Sequence, residues 1–233
     1  MCVQNDTQGE ASMKKIVGLL LVALMATGLF AKTWTNNVGV GFAVPINGFK
    51  LDSSDVQLFD DKQIAYDVQG MYLGYHENGF TVRGSLNLGI GTVKDLWFDI
   101  VEKNFVYGIG VDLKENIGVG YSFIRSRKFV LALTAGIGLQ ETIYPREEKV
   151  GSVTTTTTYT SFLFSLGGDL TSIVRFSDKF GMFFNLNAGF APFAKLYGEE
   201  KTETSSTTTT VDKDYDLKST YTITPSVGFV WTF

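Results

Sequence analysis

Cysteine and histidine are almost missing from this chain, which has one of each, Cys2 and His76. One cysteine excludes an internal disulfide, and a lone histidine far from it leaves no Cys/His cluster for zinc. Glu147-Glu148 and Asp60-Asp61 are acidic pairs that solvation explains as well as weak Ca²⁺ binding would. Proline is also scarce, at four residues, so little interrupts extended structure. The net charge is −4, which argues against a nucleic-acid partner. After residue 31 there is no apolar run long enough for a spanning helix. Gly89-x-Gly91 and Gly108-x-Gly110 lie in strand patterns with no helix following, so neither reads as a phosphate loop.

The front of the chain has a different character. Met13-Lys14-Lys15 is a short positive segment, residues 16–30 are apolar or small, and Ala31 is small. That layout is a cleavable secretory signal peptide, and cleavage is placed after Ala31 with Lys32 as the new terminus. Leu29 at the −3 position is bulky, so a cut a few residues away is the alternative. Met13 is read as the initiating residue, with residues 1–12 a mis-assigned start; the alternative is a leader with a long polar front. The organisation is therefore 1–31 signal peptide and 32–233 one domain. Cys2 lies upstream of the cut, so the remaining chain has no cysteine.

What the domain has in abundance is period-two alternation, together with 25 Gly and 19 Phe. The last segment carries Tyr221, Ile223, Pro225, Val227, Phe229, Trp231 and Phe233 on one face and Thr220, Thr222, Thr224, Ser226 and Gly228 on the other. A face of large apolar groups opposite a small polar face suits a strand between lipid and a polar interior. The pattern recurs. Val38, Val40 and Phe42 point out in the first strand; Ile64, Tyr66, Val68 and Tyr72 in the second. The second strand also has Met71, Leu73 and Tyr75 on its inner parity, which calls for a bulge or an apolar patch inside. Phe80, Val82, Leu86, Leu88 and Ile90 point out in the third strand, before which Asn78-Gly79 marks a tight hairpin. Leu131, Leu133 and Ile137 do so in the fifth, Phe162, Phe164, Leu166 and Leu170 in the sixth, and Phe180, Met182, Phe184 and Leu186 in the seventh.

The fourth strand is harder. Its odd positions stay apolar from Phe105 to Phe123, but Lys114-Glu115-Asn116 interrupts them. Read as a turn, that tripeptide gives ten strands. Read as strand, it gives eight and lets short connections (76–79, 125–128, 176–179) alternate with long ones (47–62, 91–104, 141–158, 198–217). Outer-membrane barrels alternate in this way. The fold expected is all-β: an eight-stranded antiparallel up-and-down transmembrane barrel, with ten strands as the alternative. Asp95 to Asn104 is amphipathic enough for a helical turn in its loop. The tracts Thr154–Thr158 and Thr207–Thr210 favour strands that continue above the membrane.

Ser226-x-Gly228-x-x-Trp231-x-Phe233 resembles the C-terminal assembly signal of bacterial outer-membrane β-barrels, matching at every fixed position. With the leader, the chain resembles the small barrels of the OmpX, OmpW and OmpA-membrane-domain type. The resemblance implies the outer membrane as location, its lipid as surroundings, and recognition by the barrel assembly machinery through the C-terminal strand. It supplies no single function. The first reading is a non-enzymatic surface protein whose loops meet host molecules or other extracellular ligands. The alternative is a narrow channel for small or hydrophobic solutes, as in the OmpW type. Asp67, Arg83, Asp169, Arg175 and Lys195 are assigned to a polar network in the lumen, and Leu163, Ile173, Phe183 and Phe193 to apolar inner positions. No catalytic, metal or cofactor residue is assigned. The barrel enzymes rely on a His near the outer rim, whereas His76 falls at a periplasmic turn.

Overall fold

The computed structural model describes residues 33–51, 62–93, 105–107, 110–150, 153–203 and 208–233. The expected leader, and the helical turn expected over 95–104, lie outside them. Every element among the described residues is a strand: β1 (Trp34–Ala43), β2 (Ile46–Leu51), β3 (Lys62–His76), β4 (Phe80–Val93), β5 (Phe105–Tyr107), β6 (Gly110–Arg125), β7 (Phe129–Val150), β8 (Val153–Arg175), β9 (Phe180–Glu203) and β10 (Thr208–Thr232).

These segments close into a ring of eight antiparallel walls. β1 and β2 are two halves of one wall, parted at Val44-Pro45, where proline has no N–H to give the ladder. The neighbours bridge the break: Val44 N–H donates to the Pro225 carbonyl and the Ala65 N–H donates to that of Pro45. β5 and β6 share the next composite wall, both running along β7. The order is then β1/β2, β3, β4, β6, β7, β8, β9, β10, and β10 closes on β1 from Asn37↔Thr232 to Ala43↔Ser226. Lys114, Glu115 and Asn116 pair on both sides, with Asn87, Leu86 and Ser85 of β4 and with Gln140, Leu139 and Gly138 of β7. They are strand, not turn, which decides for eight walls over ten.

The short turns follow from their residues. At His76-Glu77-Asn78-Gly79 the Gly79 N–H donates to the His76 carbonyl, and Gly79 sits at φ 97°, which only glycine adopts without strain. Asn78 Oδ1 accepts from the Phe80 N–H and holds the start of β4. Between β6 and β7, the Ser126 hydroxyl oxygen accepts from the Phe129 N–H.

Outward parity is as read for most strands. Val40, Phe42, Val68, Leu86, Leu88, Leu133, Ile137, Leu170, Leu186 and Phe229 are all exposed on the outer surface. So large an apolar belt has no place in water and belongs in hydrocarbon. Trp34 edge-on to Phe80 at 5.9 Å, and Phe180 against Trp231 at 5.6 Å, form aromatic contacts at the short-turn end. Tyr72 keeps outward parity but is buried, lying over Gly74 with its hydroxyl donating to Asn36 Oδ1 at 2.8 Å.

Carboxylates also occur on the outer face. Glu115 faces outward between Leu86 and Leu139. A lipid-facing carboxyl costs less than the ~2–4 kcal/mol of a lipid-facing Arg but is still unfavourable. Glu115→Leu is therefore expected to raise the urea midpoint of the folded barrel, and a lowered midpoint would show that Glu115 has a partner in the membrane.

Candidate functional site

Interior parity builds three layers along the barrel axis. At the short-turn end Met71, Leu73, Tyr75, Val130, Ala132, Ile173, Phe183 and Val230 pack into one buried apolar cluster. β3 pairs with β4 without a break from Gln63 to Tyr75, so the apolar inner parity of Met71, Leu73 and Tyr75 is a patch inside and not a bulge. At the other end Phe49, Tyr159, Leu163, Ala191, Ala194, Leu196 and Leu217 form a second cluster. Between the two lies a polar band.

Three cations cross the lumen. Arg83 of β4 reaches the opposite wall, where its Nη1 meets Asp169 Oδ1 of β8 at 2.8 Å, with both side chains buried. Asn185 Nδ2 also donates to that carboxylate, at 3.3 Å. Lys114 of β6 extends across to β10, its Nζ donating to Thr222 Oγ1 at 2.7 Å and Thr224 Oγ1 at 2.6 Å. Arg175 of β8 lies nearer the short-turn mouth. It donates through Nη2 to Asn37 Oδ1 at 3.0 Å and the Tyr75 hydroxyl at 3.1 Å, and through Nε to Thr232 Oγ1 at 3.1 Å.

Asp67 and Asp112 stand on either side of Gly89 in one cross-strand row, and Gly89 lets their carboxyl groups face each other. Asp112 accepts from Gln140 Nε2 at 2.8 Å and from the Thr142 hydroxyl. Beside the Arg83–Asp169 pair is a cavity of about 10 Å³ lined by Asn116, Gly138, Ser165, Asp169, Asn187 and Gly189, room for about one water.

Of the residues assigned to the lumen from sequence, Arg83 and Asp169 are brought together, Asp67 lies in the same band, and Arg175 sits apart toward the mouth. Lys195 does not belong there. Between Phe164↔Phe193 and Leu166↔Phe190 β9 carries one more residue than β8. This bulge beside Pro192 reverses the parity of β9 above it. Lys195 accordingly points outward and pairs with Asp214 Oδ2 at 3.5 Å, its ammonium 5.9 Å from the Tyr197 ring. Phe193 is turned out for the same reason. Asp112, Lys114 and Asn116 are among the interior groups the sequence reading did not assign. Their signal was the even parity they share with Gly118 in a strand whose odd positions are apolar.

Ser226 and Gly228 of the C-terminal pattern face inward, and Trp231 and Phe233 face out. A Cβ on Gly228 would come within 2.6 Å of the Phe183 ring, so packing alone demands glycine there. His76 is half-buried, edge-on to Trp34 at 5.9 Å, with its Nδ1 accepting from the Asn78 N–H at 3.2 Å. Among the described residues no group of three or more His, Cys, Asp or Glu is placed to hold a metal.

The second candidate surface is above the belt. β7, β8, β9 and β10 run for 22, 23, 24 and 25 residues. A membrane strand needs about 9–11 residues, so each stands well clear of the bilayer. They remain paired: Thr154–Thr158 lies between β7 and β9, and β9 pairs with β10 as far as Glu203↔Thr208. The result is a projecting four-stranded sheet rich in threonine. Its outer parity shows Thr158, Thr160, Tyr197, Glu199, Lys201, Asp212 and Asp214.

Among solved structures the chain is similar to a major outer membrane protein from Thermus thermophilus, with a TM-score of 0.56, 12% identity, and 83% of this chain and 99% of that one covered. It is also similar to OprG from Pseudomonas aeruginosa (0.48, 14%, 87% and 97%). A third is Ail, the attachment invasion locus protein of Yersinia pestis (0.43, 13%, 85% and 98%). The first overlap supports the fold. No protein-family model matches the sequence, and no curated protein matches it. The closed ring, the exposed apolar belt and the polar interior define an integral membrane β-barrel. More particularly, the chain has the fold of the small eight-stranded barrels of the bacterial outer membrane.

Proposed function

We propose that the protein works at the cell surface through its projecting sheet, as a closed and non-enzymatic barrel with no solute passing along its axis. One observation carries this reading: the interior is occupied along its length, by an apolar cluster at each end and by Arg83 and Lys114 crossing the middle. Eight strands leave room for side chains or one slim ligand, and these side chains take that room. The projecting sheet supplies the surface that an extracellular or host ligand meets, since binding residues concentrate where a rigid scaffold presents variable segments. The leader over 1–31 would export the chain, and the strand ending at Trp231 and Phe233 would hand it to the barrel assembly machinery.

Planar-bilayer recording tests the closed lumen. The wild-type protein is expected to give no steady openings, and Lys114→Ala with Arg83→Ala is expected to leave it closed, because the apolar clusters at both ends remain. Steady wild-type openings that change with Arg83→Ala or Asp169→Ala would instead establish the narrow channel.

A further inference from the structure

Charge is polarised along this barrel. The chain as a whole carries −4, yet Arg125, Arg127, Lys128, Arg175 and Lys179 gather at the short-turn end against Glu77 and Asp178. Two of these cations are already engaged: Arg175 points into the mouth, and Arg127 grips Asp178 through both carboxylate oxygens. That hydrogen bond holds the Asp178 carboxyl below its ordinary range. The pair is therefore intact above that range and is lost as pH falls through the lowered value. It also ties the β6–β7 turn to the β8–β9 turn, as does the Arg175 N–H donating to the Lys128 carbonyl. Lys128 and Lys179 thereby share one rim, both exposed, and neither makes an ion pair among the described residues.

Arg125 is placed differently. A bulge between Ser122 and Ile124 leaves both Phe123 and Ile124 exposed on the outer surface, and Arg125 follows them. Its guanidinium carbon lies 5.4 Å from the Tyr121 ring, and its Nη1 donates to the Ser122 carbonyl. Nη1 packs so close to Gly79 that a Cβ there would come within 2.6 Å of it. Three contacts thus fix a cation where the apolar belt stops, with Tyr121, Phe123 and Ile124 on the hydrocarbon side and Ser126, Arg127 and Lys128 on the water side. This is the height of a headgroup phosphate, and the short turns of such barrels face the periplasm.

We propose that this rim binds the headgroup of an anionic phospholipid of the periplasmic leaflet, Arg125 holding the phosphate diester and Lys128 and Lys179 adding the positive field. A guanidinium fixed by its neighbours loses little freedom on taking an oxyanion, and it offers paired donors that an ammonium lacks. Basic groups near a membrane surface favour anionic over zwitterionic lipid.

The test is native mass spectrometry of the whole barrel released from vesicles holding equal amounts of phosphatidylglycerol and phosphatidylcholine. The wild-type protein is expected to retain phosphatidylglycerol about tenfold over phosphatidylcholine, with the ratio falling as salt rises. Arg125→Gln with Lys128→Gln and Lys179→Gln is expected to bring the ratio near one. Lys201→Gln, at the opposite end, is expected to leave it unchanged. Equal retention of the two lipids by the wild type overturns the proposal, as does a ratio that Lys201→Gln lowers as much as the triple change. If the triple variant fails to fold, the wild-type ratio and the single changes Lys128→Gln and Lys179→Gln, at exposed turn positions, decide. Co-sedimentation with purified peptidoglycan that depends on these residues, without any lipid preference, would assign the rim to the cell wall instead.

Discussion

Asp169→Leu is expected to destabilise the folded barrel by about 3–5 kcal/mol, measured as urea unfolding in lipid or detergent. The size follows from what the change leaves behind. Arg83 is 1% exposed, and its Nε and Nη2 have no acceptor among the described residues. Its Nη1 would keep only the long contact to Ser85 Oγ at 3.4 Å. A guanidinium cannot neutralise itself by losing a proton, so it must stay buried and uncompensated or pull the wall open toward water. Arg83→Met together with Asp169→Leu is expected to restore most of the loss, because two apolar groups carry no desolvation penalty in a space already bounded by apolar clusters. The cycle of single and double variants isolates the coupling. A single variant as stable as the wild type would mean that water reaches Arg83, and hence that the lumen is open.

Leu133→Arg is the second large effect, expected at ~2–4 kcal/mol for a cation on the lipid-facing surface. Leu133 is 49% exposed on the outer face and pairs laterally with Tyr121 and Leu170, both also outward. Hydrocarbon, not protein, covers it, and its outward cross-strand neighbours carry no carboxylate. The companion change is Ser85→Ala. Ser85 is buried on the inner face, where it accepts long contacts of 3.4 Å from Arg83 and Asn116. Removing one hydroxyl there is expected to cost about 1 kcal/mol. Equal costs on the two faces would contradict the assigned parity.

Most of the fold was legible because a strand between lipid and a polar filling must alternate, and one parity error would place every side chain of that strand wrongly. β4 and the C-terminal half of β10 were read residue by residue for that reason. Lys195 and Phe193 were misplaced because a single inserted residue beside Pro192 reverses the count, and a bulge has no composition signal stronger than its proline. Lys114 was left unassigned although its tripeptide was read as strand, because the alternation was followed there only along the apolar odd positions. Only the pairing of Asn116 with both Ser85 and Gly138 establishes that the strand continues. Whether the lumen is filled was not legible at all. It depends on how far Lys114 reaches toward Thr222 and Thr224, more than a hundred residues away, and on five separate strands meeting in the cluster around Phe183. Alternation gives the wall that a side chain faces, not the partner it meets across the barrel.

The central claim is that consecutive residues of one strand meet hydrocarbon and then a packed interior. The shortage of cysteine makes this directly measurable, since single cysteines from Val82 to Ile90 can be labelled with a fluorophore against an almost empty background once Cys2 is replaced. Quenching by lipids brominated along their chains is the measurement. Strong quenching at 82, 86, 88 and 90 and weak quenching at 83, 85 and 87 is the predicted result. Uniform quenching along the strand, or none at the even positions, would contradict the account.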